Sequence, residues 1–145
     1  MKAKIIFGSE VGTTKYVAEL LKKRLDDHQF EVDLYQVGFD GFTPDIAGYD
    51  LLLFGSPTYF EGLLQSDMTT FTNQFTDSLS KYAVAVFVLG DRSYAHFCES
   101  AEVLERWVAS HEGTLLVPTL KVDGYPENFD EFTTWVNLIT EKLAA

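Results

Sequence analysis

Residues 82–90 read YAVAVFVLG, and the interpretation of the whole chain starts from this stretch. The run is continuously apolar and ends in a glycine. A strand at the centre of a parallel sheet has this character, because helices cover both of its faces and leave neither face for water. We therefore predict a central parallel strand here, and with it a sheet that carries helices on both sides.

Four further stretches are predicted to be strands, and helical patterns separate them. The predicted strands are AKIIFG at 3–8, EVDLYQV at 31–37, YDLLLFGSP at 49–57 and TLLVPTLKV at 114–122. Apolar side chains recur at helical spacing over about 13–28, 63–79 and 98–111, and again from Phe129 to Leu143. Strand 31–37 alternates as an edge strand does, and Pro118 removes one ladder donor, which indicates an edge or a bulge.

Alternating strands and helices predict an α/β fold with one parallel sheet. Five strands at this spacing fit a doubly wound five-stranded sheet of order 2-1-3-4-5 with helices on both faces, and we expect 1–145 to form a single domain. Ligands of such sheets bind beyond the carboxyl ends of the strands, where the strand order reverses. The loops to examine are therefore GSEVGTT at 8–14, GSPTYFEG at 55–62 and GDRSYAHFC at 90–98.

The composition limits the class of protein. The chain has 145 residues, 46% apolar and 14% aromatic, which is enough for a packed core. Its 22 acidic and 11 basic residues give a net charge of −11, which argues against nucleic acid and suits basic partners, although acidity also aids solubility. No apolar run approaches the roughly 20 residues of a membrane span, and the N-terminus is typical of a strand rather than a signal peptide. The single cysteine excludes an internal disulfide and a multi-cysteine zinc site, so we expect a cytoplasmic protein without a metal.

The first loop has the composition of an anion site. It leads into a helix N-terminus, where free amides and the positive end of the helix dipole favour a negative group. Ser9, Thr13 and Thr14 add hydroxyl donors, and Gly12 lets a ligand approach the backbone closely. The loop matches neither G-x-x-x-x-G-K-[ST] nor G-x-G-x-x-G, which disfavours a nucleoside triphosphate and a dinucleotide. A phosphate monoester held by neutral donors remains, beside the plainer alternative of a helix N-cap.

The second and third loops each place aromatic residues just beyond a strand end. Tyr59 and Phe60 follow one strand, and Tyr94 and Phe97 follow the next. Such residues commonly pack on the margin of a core. Two tyrosines that face one crevice can instead enclose a planar heterocycle by stacking.

All three loops resemble those of one family, the flavodoxins. SEVGTT resembles the flavodoxin phosphate loop, T/S-x-T-G-x-T, and GSPTYFEGLLQSD resembles the second flavin loop. LGDRSYAHFC is similar to the third loop of FMN domains in diflavin reductases and of small MioC-type flavodoxins. The resemblance covers the whole chain in order, and the last strand lacks the insertion of about 20 residues that marks long-chain members. The chain is therefore similar to short-chain flavodoxins.

The resemblance implies FMN as the cofactor and assigns its contacts. The residues implied for the phosphate are Ser9, Glu10, Val11, Gly12, Thr13 and Thr14. The flavin ring would lie between Tyr59 and Tyr94, and the residues implied to line it are Pro57, Thr58, Phe60, Gly62, Gly90, Asp91, Phe97 and Cys98. Glu10 is expected to offer only its backbone amide, and Val11 departs from the usual threonine and loses one hydroxyl contact. Cys98 is expected to be a small buried thiol.

The implied function is electron transfer rather than catalysis. Such a carrier takes electrons from an NAD(P)H-dependent flavodoxin reductase and delivers them to an acceptor enzyme, and the acidic surface suits basic docking faces on both. Stacking and nearby carboxylates disfavour a reduced anionic flavin, so a low potential is expected.

Three alternatives stay open from the sequence. An FMN-dependent NAD(P)H quinone or flavin reductase needs room for nicotinamide, and no basic cluster for that cofactor is evident. An interaction module that has lost FMN would explain why Val11 and Phe60 depart from the residues usual in the family. A phosphate-accepting response-regulator-like domain needs acidic residues after the first strand, where this chain has Gly8 and Ser9. The three histidines are scattered and are expected to be packing or surface residues.

Overall fold

The computed structural model describes residues 1–59, 62–91, 97–124 and 129–145. These ranges contain five strands and four helices, and a helix follows every strand except β2. The strands are β1 Lys2–Phe7, β2 Glu31–Gln36, β3 Leu51–Pro57, β4 Ala83–Gly90 and β5 Leu120–Asp123. The helices are α1 Thr13–Asp26, α2 Ser66–Gln74, α3 Ser100–Ser110 and α4 Asp130–Ala144. No helix in the described ranges is both long enough and apolar enough to cross a membrane.

The five strands form one parallel sheet of order β2-β1-β3-β4-β5, as predicted. Phe7 at the end of β1 is level with Gly55, and Gly55 is level with Phe87 of β4. The carboxyl ends of the central strands therefore meet at one side of the sheet. We call this side the carboxyl edge, and it comprises the segments that follow β1, β2, β3 and β4 at 8–12, 37–41, 58–64 and 90–91.

Helices cover both faces of the sheet and divide the core into two layers. Helices α1 and α4 pack on the face that contains Ile5 and Phe7, and α2 and α3 pack on the face that contains Ile6. Val84–Leu89 of β4 is buried without interruption, which confirms the central strand predicted from 82–90.

The segment between β2 and β3 contains no helix, and it covers one end of the sheet face that contains Ile6. There the side chain of Lys4 is only 8% exposed, and its Nζ donates to the carbonyl oxygen of Asp45 at 2.8 Å. The same ammonium lies 5.2 Å from the ring centroid of Tyr35 and 5.1 Å from that of Tyr49. Cation–π contacts and one hydrogen bond thus replace a carboxylate partner for this buried charge.

Helix α2 is shorter than the helix predicted over 63–79, and this prediction was wrong at both ends. It spans Ser66–Gln74, after which the backbone of Phe75 is extended. The ring Nε2 of His111 contacts the carbonyl oxygen of Phe75 at 2.9 Å, and the amide of Leu79 donates to the carbonyl of His111 at 2.7 Å. The backbone after α2 is bonded to the end of α3, so its apolar side chains reach the core without a helix.

Strand β5 is also shorter than predicted, with four residues, Leu120–Asp123, in place of 114–122. Leu115 forms an isolated bridge with Val84, and regular pairing resumes only at Leu120. Pro118 lies in the interruption and has no amide hydrogen to contribute to the ladder. The expectation of an edge strand or a bulge at this proline is confirmed. The remaining elements agree with prediction to within about two residues at each end.

Candidate functional site

The first loop ends in a glycine that starts helix α1. Gly12 has φ 91 and is the N-cap residue, a left-handed conformation that side-chain-bearing residues adopt at a cost. No side chain in the described ranges caps this end, and the first turn of α1 contains no acidic residue. The first amide groups of α1 and the positive end of its dipole are therefore available to an anion.

A small pocket of about 120 Å³ lies at this loop and brings together residues from two of the predicted loops. Its walls are Ser9, Glu10, Val11, Thr13, Thr14, Pro57 and Tyr59, all of which the sequence had assigned to the site. None of these wall residues is basic, so what they offer an anion is hydroxyl groups, backbone amides and the positive end of the helix dipole.

Two hydroxyl groups in the pocket are buried and lack a hydrogen-bond partner among the described residues. They are Ser9 Oγ and Tyr59 Oη. A buried hydroxyl without a partner costs free energy, so the site is complete only when a ligand supplies acceptors. Both hydroxyls can donate to phosphate or ribityl oxygens, and the residues present therefore fit a phosphorylated cofactor.

Tyr59 is held in its neutral form. Burial raises the pKa of Tyr59, and the neighbouring Glu10 carboxylate raises it further. Glu10 itself is solvent-exposed. The phenol accordingly remains a donor at physiological pH, available to an incoming acceptor.

The second loop is folded back on itself. Thr58 pairs with Leu64 across the loop, and the amide of Tyr59 donates to the carbonyl of Leu63 at 2.8 Å. Gly62 donates its amide to the carbonyl of Tyr59 at 3.1 Å and has φ 80. This backbone fixes the position of Tyr59. Phe60, which the sequence also assigned to the site, lies outside the described residues.

The third loop approaches the second through small residues. A β-carbon on Gly90 would lie 3.0 Å from the amide nitrogen and the sulfur of Cys98 and 3.2 Å from the ring of Phe97, which places these three predicted residues together. Cys98 is buried with φ 53, and Asp91 is exposed. Tyr94 lies outside the described residues, so the predicted tyrosine sandwich stays a prediction.

Direct contacts join the second loop to the segment after the third. The hydroxyls of Thr58 and Ser100 are 2.5 Å apart. A β-carbon on Gly62 would lie 2.7 Å from Cβ of Glu99, so only glycine fits between them. A change in one loop is therefore transmitted to the other.

Gln65 is an important residue that the sequence reasoning did not assign. It is 1% exposed and is the N-cap of α2, where its Oε1 accepts from the amide of Met68 at 3.0 Å. Its side-chain Nε2 donates to Asp67 Oδ2 at 3.0 Å, and its backbone amide donates to Ser56 Oγ at 3.1 Å. Glutamine is not among the usual N-cap residues, so the run QSD carries no signal that identifies Gln65 as the cap.

Comparisons with known proteins agree with this fold. The family model described as Flavodoxin matches residues 5–135. A flavodoxin of Maridesulfovibrio salexigens is 31% identical over 146 residues, which covers 98% of this chain and 99% of the relative.

Two solved structures show the same architecture. Oxidised flavodoxin 2 of Bacillus cereus superposes with a TM-score of 0.88 at 28% identity and covers 98% of this chain and 99% of its own. A Fusobacterium nucleatum flavodoxin bound to flavin mononucleotide has a TM-score of 0.78 and covers 97% of this chain and 98% of its own; at 15% identity this likeness concerns the fold alone. From the profile match and the full-length relatives, the chain belongs to the flavodoxin family, whose members are electron carriers that work with redox partner proteins rather than enzymes that turn over a substrate.

Proposed function

We propose that this chain carries electrons on non-covalently bound FMN held at the carboxyl edge. The observation that supports this most directly is the pair of partnerless buried hydroxyls, Ser9 Oγ and Tyr59 Oη, in a pocket at the uncapped start of α1. A phosphate there gains hydroxyl donors, free amides and the helix dipole together. When bound, FMN supplies the redox chemistry, and the protein supplies position and electrostatics.

The chain's own groups have separable roles toward FMN. Ser9, Thr13 and Thr14 would donate hydroxyl hydrogen bonds to the phosphate, while Glu10, Val11 and Gly12 would offer backbone amides. Tyr59 and Tyr94 would stack on the flavin ring. The lining is completed by Pro57, Thr58, Phe60, Gly62, Gly90, Asp91, Phe97 and Cys98.

Carboxylates around the site determine the direction in which the protein shifts the reduction potential of the flavin. Glu10, Asp91 and Glu99 are exposed, and Asp67 is half-buried at the start of α2. Negative charge near the flavin disfavours the addition of electrons, so these groups lower the potential. The protein is thus a low-potential carrier.

The partners are proteins with basic docking faces, one an NAD(P)H-dependent flavodoxin reductase and the other an acceptor enzyme. The net charge of −11 favours encounter with such faces and rejects nucleic acid. Residues 1–145 act as one FMN-binding domain in the cytoplasm. A MioC-like character of the third loop belongs to this proposal as well.

The proposal is tested by FMN binding. The protein as purified should be yellow with a flavin absorption band, and apoprotein should quench added FMN fluorescence as it binds. Ser9→Ala should weaken binding about tenfold through the loss of a charge-assisted hydroxyl contact. Ser78→Ala, at an exposed serine far from the pocket, is the matched control and should bind FMN as the wild type does. A colourless protein that takes up no FMN contradicts the proposal and favours an interaction module that has lost its cofactor.

A further inference from the structure

Phe39 is 83% exposed at the tip of the turn that follows β2. An aromatic ring in water at a tight turn loses the hydrophobic stabilisation that burial would give it. Phe39 also lies on the carboxyl edge, where the cofactor site is.

The turn holds Phe39 in a fixed position. Asp40 Oδ2 accepts from the amide of Gln36 at 2.8 Å, and the amide of Asp40 donates back to the carbonyl of Gln36 at 2.8 Å. The amide of Gly38 donates to the carbonyl of Gly41 at 2.8 Å, and the two glycines have φ 88 and 125. A ring on a backbone this constrained needs little further ordering when it binds, which lowers the entropic cost of association.

The turn is physically continuous with the cofactor loops. A β-carbon on Gly38 would lie 2.5 Å from Oδ2 of Asp67, so the turn packs on the start of α2. Asp67 accepts from Gln65, and the Gln65 side chain in turn packs against Gly8 of the first loop. These contacts place the turn next to the cofactor loops, so a protein that covers the cofactor site would also lie near Phe39.

Exposed apolar side chains are concentrated on this side of the sheet. Among the described residues, five large apolar side chains are exposed, and three of them belong to the carboxyl edge. These are Val11 at 91%, Phe39 at 83% and Leu63 at 58%. They follow β1, β2 and β3, which are neighbours in the sheet. Aromatic and apolar groups at the centre of an interface provide most of its binding free energy.

The negative charge around this surface indicates which kind of partner binds to it. Asp40 adjoins Phe39, Glu10 and Asp67 lie on the same edge, and the chain carries a net charge of −11. A second copy of the chain would bring the same negative charge against it. A partner with an apolar centre ringed by lysine or arginine would satisfy both the apolar groups and the carboxylates.

We propose that Phe39 is an apolar anchor for a redox partner whose docking face has an apolar centre ringed by basic side chains. The proposal rests on the proposed function, because only an electron carrier needs such a partner beside its cofactor. The anchor lies outside the FMN pocket, so its removal changes docking without changing cofactor affinity.

Cytochrome c, a basic haem protein with an exposed haem edge, is a suitable probe. Its dissociation constant with the full chain is measured by NMR titration at about 10 and about 150 mM salt, since screening separates steering charge from apolar contact. Phe39→Ser should weaken binding about fivefold or more at both salt concentrations. Phe39→Leu, which keeps an apolar side chain, should stay within about twofold of the wild type.

Each outcome decides the question. Equal affinity of Phe39→Ser and wild type overturns the anchor, and so does a wild-type chain that does not bind cytochrome c. Self-association in sedimentation that disappears in Phe39→Ser also overturns it, because the occupant would then be a second copy. Cytochrome c binding requires no cofactor, whereas FMN uptake is read by absorbance, so the docking proposal and the proposed function fail separately.

Discussion

Gly8 packs directly against the side chain of Gln65, and a β-carbon at residue 8 would collide with the amide group. This contact joins the phosphate loop after β1 to the cap of α2. The Gln65 side chain has little freedom to move away, because it is buried and bonded to both Met68 and Asp67.

Gly8→Ala should therefore destabilise the protein and disturb the loop together. We expect the free energy of unfolding, measured by urea denaturation, to fall by about 1–3 kcal/mol, the usual cost of overpacking, and FMN affinity to fall with it. The double variant Gly8→Ala/Gln65→Ala should be more stable than the sum of the two single changes predicts. Strict additivity would show that the two residues do not interact.

Gly12→Ala should weaken FMN binding through backbone strain. A left-handed alanine costs about 1–2 kcal/mol, and relief of this strain would rotate the amides that face the phosphate. Gly48→Ala is the matched control, because Gly48 has φ 84 against 91 for Gly12 and a β-carbon meets nothing within 4 Å at either position. Thermal denaturation should show similar losses for both variants, while fluorescence titration should show weaker FMN binding for Gly12→Ala alone. Equal FMN affinity in the two variants would count against a role for Gly12 in the site.

Val11→Thr should tighten FMN binding. Val11 lines the pocket and is 91% exposed, so a hydroxyl can be introduced there without disturbing the core. One additional hydrogen bond is worth about 0.5–1.5 kcal/mol, or roughly a threefold to tenfold lower dissociation constant. Val11→Ala removes the methyl groups without adding a donor and should leave the constant unchanged. If alanine tightens binding as much as threonine does, steric relief is the cause instead.

The Tyr49–Asp33 pair should make stability depend on pH in the alkaline range. The hydroxyl of Tyr49 donates to Asp33 Oδ2 at 2.5 Å, and this bond, followed by burial, raises the pKa of Tyr49 from 10.0 to about 12. Because the folded state holds this proton more tightly, the stabilisation is complete below pH 10.0 and is lost as the pH rises through about 12. The difference in unfolding free energy between wild type and Tyr49→Phe should shrink across that interval. Asp33→Asn should also reduce the difference in unfolding free energy between the tyrosine and phenylalanine forms. A difference that stays constant up to pH 12 would show that ionisation of Tyr49 is not coupled to stability.

The fold could be predicted because its strongest signals are local. The apolar run at 82–90 is a central strand in any parallel sheet, and glycines mark the strand ends where the chain turns. The bounds of α2 and β5 were wrong because the side chains there have helical or extended spacing, whereas the backbone groups form hydrogen bonds outside the predicted helix or strand. Leu79 is one such residue, since its amide bonds to His111 rather than within a helix.

The site could be predicted in composition but not in detail. Serine, threonine and glycine at a helix start indicate an anion in any sequence. The contact between Gly8 and Gln65 depends on two elements that only the folded sheet brings together. The exposure of Phe39 was equally invisible, because a loop sequence does not show which of its side chains lie in solvent.

Cys98 is the only cysteine of the chain, and its sulfur is enclosed within 3.9 Å of the Val88 carbonyl oxygen and 4.0 Å of that of Val122. The native protein can accordingly be handled in air without forming covalent dimers, since the thiol does not reach a neighbouring molecule. A maleimide has one attachment point, and it reaches that point only when the surrounding backbone opens. The speed of labelling therefore reports how often the backbone around Cys98 opens, with no dye or isotope introduced in advance.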